Sequence, residues 1–261
     1  MLKMIIGGRR RAGMTHRDYL NYAQHVHGGT VAHNPGFMLG YIQNHVIDAV
    51  YGSRGEGWTP GPDFDSFSEI SFPDGAAFAR SIADPYYRET IQPDELNFVC
   101  HSAVILLATR VEELAVTMPG EAPVKVMRFL ASNGAASAET FDAAWSQEMA
   151  RIADHPTLGP SIRRMTRSIS ITGEPDANLP ANFVANAPLS PYAGVESLWF
   201  DGDAGWSAIE AYRAVIEEAG SHLAGMLDRR REALFMVEER TIVADRGTTD
   251  AVDTRSAVEM S

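Results

Sequence analysis

One cysteine, Cys100, is present in 261 residues. A lone thiol excludes an intramolecular disulfide framework and leaves no CxxC-type zinc site; it fits a reducing, cytoplasmic setting. Positive charge is short: 22 Lys and Arg stand against 34 Asp and Glu, a net charge of −12. So acidic a chain repels phosphate backbones, and nucleic acid is not an expected partner. No apolar run approaches the ~18 residues needed to cross a bilayer, so no membrane partner is expected. The opening stretch MLKMIIGGRRRAGMTH carries its charges after a short apolar run, the reverse of a secretory leader. Nucleophile elbow, dinucleotide fingerprint and Cys/His dyad spacing are all missing. GGRRRAG lacks the Lys–Ser/Thr end of a phosphate loop and reads as a solvated turn.

What is there is an ordinary globular composition, 45% apolar, in an order that occurs twice. LKMIIGG is a strand ended by glycines. Thr15, with Asp18 three residues on, starts a helix in the manner of a capping box; Tyr19, Tyr22, Ala23 and Val26 recur at helical spacing, and Gly28–Gly29 end it. Strands follow at 37–47 and 67–72, divided by a Gly/Pro loop at 52–63. Asp74 opens a helix that Asp84–Pro85 breaks, and a short helix covers 86–96. The last strand is 98–111. After a connector, strand 124–130, helix 137–153, strand 162–172, strand 194–200, helices 201–219 and 221–230 and strand 233–243 repeat the order. Residues 244–261 have no apolar period and read as a loose tail.

Each half therefore has the split-βαβ, ferredoxin-like order βαββαβ. The expected fold class is α+β: two such repeats, 1–111 and 123–243, forming one pseudo-dimeric barrel with a small-molecule pocket inside. Helices leave one face of each sheet bare, and two bare faces bury each other when packed together. A chain that supplies both sides needs no second copy, although a homodimer through the tail is compatible with it. Glu69 of FSEISFPDG is matched to Glu196 of VESLWFDGD.

Half one resembles the EthD family of the dimeric α+β-barrel superfamily. The resemblance rests on a helix ending at His27, on the strand Tyr41–Ile42–Gln43–Asn44–His45, and on Asp94–Glu95–Leu96–Asn97–Phe98 before the last strand. It covers about 2–110 well and 123–243 weakly. An aromatic usual four positions before the helix histidine is Ala23 here and survives as Trp145 in half two. There Met149, Thr166 or a neighbour, and Glu238 stand at roughly the places of His27, His45 and His101. The resemblance implies a barrel fold. It also implies a range of chemistries, among them dehydratases, cyclases, lyases and steps of pollutant degradation.

Alternation puts Leu39, Tyr41, Gln43, His45 and Ile47 on one strand face, an apolar wall dotted with polar groups, as a small-molecule pocket requires. Glu69 is assigned to the barrel side of its strand. His45 and Glu69 are the expected acid/base pair, with Tyr41 orienting a phenol or enol oxygen and His27 and His101 as further catalytic candidates. Gln43, His33, Trp58 and Trp199 are candidate substrate-binding residues, Trp58 as a lid aromatic. The i, i+2 histidines 25 and 27 do not converge on a metal, unlike i, i+4 pairs, and neither metal nor other cofactor is expected. The expected function is cofactor-independent acid/base catalysis, of lyase, dehydratase, cyclase or isomerase type, on an aromatic or polyketide-like molecule. The alternatives are a non-catalytic protein binding haem or a hydrophobic ligand, and a cofactor-free monooxygenase.

Overall fold

A computed structural model describes residues 1–49, 64–172, 174, 179, 190–202, 205–218 and 221–247. Half one runs β1 (Leu2–Gly8), α1 (His16–Asn21), a π-helical turn (Tyr22–His27), α2 (Gly28–His33), β2 (Gly40–Ala49) and β3 (Ser66–Phe72). It continues with α3 (Gly75–Ala83), a second π-helical turn (Tyr87–Ile91), α4 (Gln92–Glu95), a 3-10 turn (His101–Ala103) and β4 (Ile105–Leu114). Half two runs β5 (Val124–Ala131), α5 (Ala138–Ala153), β6 (Ile162–Ser170), β7 (Tyr192–Phe200), α6 (Gly205–Glu217), a 3-10 turn (Leu223–Met226) and β8 (Ala233–Val243). The tail from 248 onward and the loop carrying Trp58 lie outside the described residues.

All eight strands pair antiparallel into a closed barrel in the order β1-β3-β2-β8-β5-β7-β6-β4. Closure satisfies every strand edge. The halves meet along two seams, β2 with β8 and β4 with β6. Inside, Ile5, Phe67 and Leu107 of half one pack on Met127, Phe129 and Phe235 of half two. This is the mutual burial of bare sheet faces expected from the repeated order. Helices cover the outer faces, over Met4, Phe72 and Ala108 in half one and over Val126, Leu130 and Leu198 in half two.

The helix starts follow from their caps. Thr15 accepts from Asp18 N at 3.1 Å, Asp74 from Ala77 N at 2.7 Å, and Ser137 from Thr140 N at 3.1 Å. Such caps satisfy donors that a helix leaves orphaned, at roughly 1 kcal/mol each. The first helix does not stop at Gly28–Gly29. It runs on to His33 through the π-helical turn. A Cβ on Gly28 would lie 3.0 Å from the Ile242 side chain and 3.1 Å from the Ala23 carbonyl, so this glycine permits close packing against β8 rather than ending a helix. The wider π turn also shifts the helical phase: Val26, expected inward, is 47% exposed, and His27 is buried. The strand expected at 98–111 begins only at Ile105, and His101 sits in the 3-10 turn before it. The helix expected at 221–230 is a single 3-10 turn.

Candidate active site

The cavity is not inside the barrel. Among the described residues apolar side chains pack the barrel interior, and a cavity of about 270 Å³ lies outside it, between the half-one sheet and its helices. Met4, Ile6, Ile70, Phe72 and Leu106 form its sheet wall; Ala23, Val31, Phe78 and Ile91 come from the helices. Both π-helical turns border it, through Ala23 and His27 and through Tyr87 and Ile91. Such turns aim side chains that a regular helix would point elsewhere.

His27 faces this space. Its Nδ1 lies 2.9 Å from Asp94 Oδ2, and its ring packs on Phe98 at 4.9 Å. Asp94 also accepts from the Tyr22 hydroxyl at 2.6 Å and from Asn97 Nδ2 at 3.1 Å. Burial alone would raise the Asp94 carboxyl, but bonds from Tyr22, His27 and Asn97 outweigh it and hold the group below its ordinary value. An ionised Asp94 accepts only, so Nδ1 carries hydrogen and Nε2 keeps its lone pair. Burial lowers the His27 pKa against the opposing pull of Asp94. His27 is thus a neutral, oriented base at neutral pH.

Glu95, the next residue, lines the same cavity. Burial first, and the Asp94 charge second, raise its pKa to about 7. A carboxyl poised there donates or accepts a proton near neutrality. Glu95 had no role in the reading of the sequence, although it stands in the Asp-Glu-x-x-Phe element. The doublet of acids was visible; that one member turns to Tyr22, His27 and Asn97 and the other into an apolar cavity was not.

The strand residues of the cavity form a chain. Gln43 Nε2 donates to the Ala23 carbonyl at 2.7 Å and to Tyr41 Oη at 2.9 Å, and Tyr41 Oη meets Ser68 Oγ at 3.2 Å. His45 Nε2 lies 3.0 Å from Gln43 Oε1. Tyr41, Gln43 and Ser68 face the cavity, whereas His45 is not part of its wall. Burial, then the charges of Arg240, His16 and His25, push the His45 pKa down to about 4.

Glu69 does not meet His45. Register pairs Glu69 with Ile5 and Ile42, and His45 with Ser66, so the two occupy opposite faces of the sheet. Glu69 is inside the barrel, in contact with Lys125 and, at 2.6 Å, with Lys3. These are the only lysines in the chain. Burial would raise the Glu69 carboxyl, but Lys125 and Lys3 hold it far below the usual range. It is a fixed anion, unsuited to proton transfer. Trp199 belongs to the same interior cluster: its Nε1 donates to Glu239 at 2.9 Å, with Lys125 Nζ 4.5 Å from its ring centroid. His33 is exposed, 6.3 Å from the Tyr86 ring, and outside the cavity wall. His101 is exposed but borders the cavity. Among the described residues no group of three or more His, Cys, Asp or Glu is placed to hold a metal ion.

Among the described residues half two fills the corresponding side of its sheet. Lys3 pairs with Ser71 as Lys125 pairs with Trp199. Counting along both strand pairs from there puts Glu196 at the place of Ser68 and Ser197 at that of Glu69. Matching Glu196 to Glu69 was one residue off, which in a strand exchanges the faces. The same count puts Met165 at Tyr41, Arg167 at Gln43 and Ile169, not Thr166, at His45. Trp145, at the helix position of Ala23, is 1% exposed and donates to Glu196 at 2.8 Å. Arg128, fully buried, meets Glu148 and Glu196 at 2.8 Å and Glu232 at 2.6 Å. The indole and this ionic cluster occupy the side of the sheet where half one is hollow.

An EthD-domain profile matches residues 11–102, the span holding His27, Asp94 and Glu95. A decarboxylase of Aspergillus novofumigatus, NsrE, is 30% identical over 121 residues, which is 43% of this chain and 78% of that protein. The chain belongs to the EthD family. A dehydratase of Ustilaginoidea virens, UstZ, is likewise 30% identical, over 38% of this chain and 74% of its own length. The EthD fold extends beyond these matches: an anthrone oxidase-like protein of 12% identity superposes with a TM-score of 0.55 over 92% of this chain and 93% of its own. At that identity the likeness concerns the barrel alone. Among the described residues no helix is long and apolar enough to cross a membrane.

Proposed function

We propose that this protein is an acid/base enzyme, working without a bound cofactor, that removes carbon dioxide or water from an aromatic or polyketide-like acid in the half-one cavity. The observation that carries the reading is a base and an acid in one apolar cavity: His27, neutral with Nε2 open, and Glu95, about half protonated at pH 7. Decarboxylation and dehydration, the activities named for the two relatives, need the same two groups. In a dehydration His27 Nε2 takes the proton beside a carbonyl, the C–H pair becomes an enolate, and Glu95 protonates the departing hydroxyl. In a decarboxylation His27 takes the carboxyl proton, carbon dioxide leaves, and Glu95 protonates the carbon left with the electron pair. Asp94 fixes the His27 tautomer and steadies the imidazolium formed. Apolar walls exclude water and strengthen these interactions.

The test is turnover on a panel of aromatic hydroxy- and keto-acids, read as loss of carbon dioxide or water by mass spectrometry. His27→Ala and Glu95→Gln should each lower kcat by roughly 10²–10⁴-fold. Full activity in either variant contradicts the assignment. Oxygen consumption coupled to turnover would favour the cofactor-free monooxygenase instead, and tight haem retention the binding protein.

A further inference from the structure

The chain His45–Gln43–Tyr41–Ser68 has a direction, and one atom sets it. The Ala23 carbonyl accepts only, so the amide group of Gln43 facing it at 2.7 Å is the NH₂. Nε2 then spends its second hydrogen on Tyr41 Oη, 2.9 Å away. Gln43 Oε1 is left towards His45, whose Nε2 must carry hydrogen to meet it at 3.0 Å. The phenol oxygen accepts from Gln43, so its own hydrogen is free for Ser68 Oγ at 3.2 Å. Ser68 Oγ is thereby an acceptor for Tyr41, and its own hydrogen is left over. Ser68 borders the cavity, and among the described residues no other hydrogen bond holds its hydroxyl.

We propose that the Ser68 hydroxyl is a fixed donor for an anionic or carbonyl oxygen of the ligand, so that the cavity selects planar molecules bearing a phenolate or enolate oxygen opposite the His27–Glu95 wall. This rests on the reading above for its catalytic meaning but not for its geometry. In turnover no proton leaves Ser68: it donates a hydrogen bond to the enolate oxygen formed as His27 Nε2 takes the carbon-bound proton. Four linked residues hold that donor in place before the ligand arrives, as a preorganised oxyanion donor must be. In half two the equivalent position is Glu196, an acceptor occupied by Trp145 and Arg128, so the donor exists once per chain.

The experiment measures binding and needs no substrate. Titrations of 4-nitrophenol and of nitrobenzene, followed by absorbance and tryptophan fluorescence at pH 8, compare rings with and without the oxygen. Wild-type protein should prefer 4-nitrophenol. Ser68→Ala should weaken it about tenfold while leaving nitrobenzene unchanged, and Tyr41→Phe should weaken it as well because the Ser68 oxygen loses its donor. Equal affinity of the wild type for both probes, unchanged affinity in Ser68→Ala, or loss in Ser68→Ala with none in Tyr41→Phe each overturns the proposal. A protein inactive on every acid but with Ser68-dependent binding would contradict the enzyme and leave this oxygen site standing.

Discussion

Replacing Glu95 with Gln removes the charge that burial and Asp94 disfavour. An ordinary glutamate at 4.5 is roughly 0.3% protonated at pH 7, whereas one raised to about 7 is about half protonated. Such a shift makes the ionised form costlier in the folded state by up to about 3 kcal/mol. The folded value lies above the unfolded one, so this stability is fully present below about 4.5 and is lost as pH rises through about 7. Urea denaturation of the wild type and Glu95→Gln from pH 5 to pH 8 should show the difference moving steadily in favour of the variant. Carbon-13 spectra of glutamate-labelled protein, assigned by the same variant, should show one carboxyl titrating near 7. In turnover the same group should produce an alkaline limb that the variant lacks. A Glu95 midpoint near 4.5, or a stability difference independent of pH, refutes the reasoning.

Ala23→Trp should rebuild in half one the arrangement that Trp145 makes in half two, abolishing 4-nitrophenol binding at an overpacking cost of about 1–3 kcal/mol by thermal denaturation; retained binding would place the ligand elsewhere. Arg128→Met leaves Glu148, Glu196 and Glu232 facing one another without their cation and should destabilise by about 3–5 kcal/mol in urea. Glu69→Gln strands Lys3 and Lys125 and should cost a similar amount at pH 7. Because the folded pKa of Glu69 is depressed, its contribution is present above the unfolded value and lost as pH falls towards the folded one. The variant's stability should therefore depend less on pH in acid than that of the wild type.

The repeated strand–helix order, the helix starts at Thr15, Asp74 and Ser137, and the two residue sets of the 40–49 and 66–72 strands were legible in the sequence, because local bonding and period-two alternation determine them; the direction of the 40–49 faces was reversed, since Val46 packs inside the barrel and Tyr41 and Gln43 face the helices. The position of the cavity was not legible. A bare sheet face and a helix-covered face both read as half-apolar strands, and only the packing of Phe67, Phe129 and Phe235 against one another tells them apart. Glu69 was correctly placed on the barrel side, yet pairing it with His45 required two faces to be one. The two π turns have no composition signal, so the inward turn of His27 and outward turn of Val26 were hidden. Glu95 was hidden for another reason: its poise comes from a cavity assembled by residues as far away in the sequence as Met4. The missing aromatic at Ala23 was visible, but its meaning needed the filled half beside it.

The central claim is that chemistry resides between the half-one sheet and helices, not within the barrel. A crystal structure with bound salicylate tests it most directly. The ring is expected beside Ala23 and Phe98, with an oxygen in hydrogen-bond reach of His27 Nε2 or Ser68 Oγ. A ring bound inside the barrel against Trp199 and Glu69, or in half two beside Trp145, would contradict it.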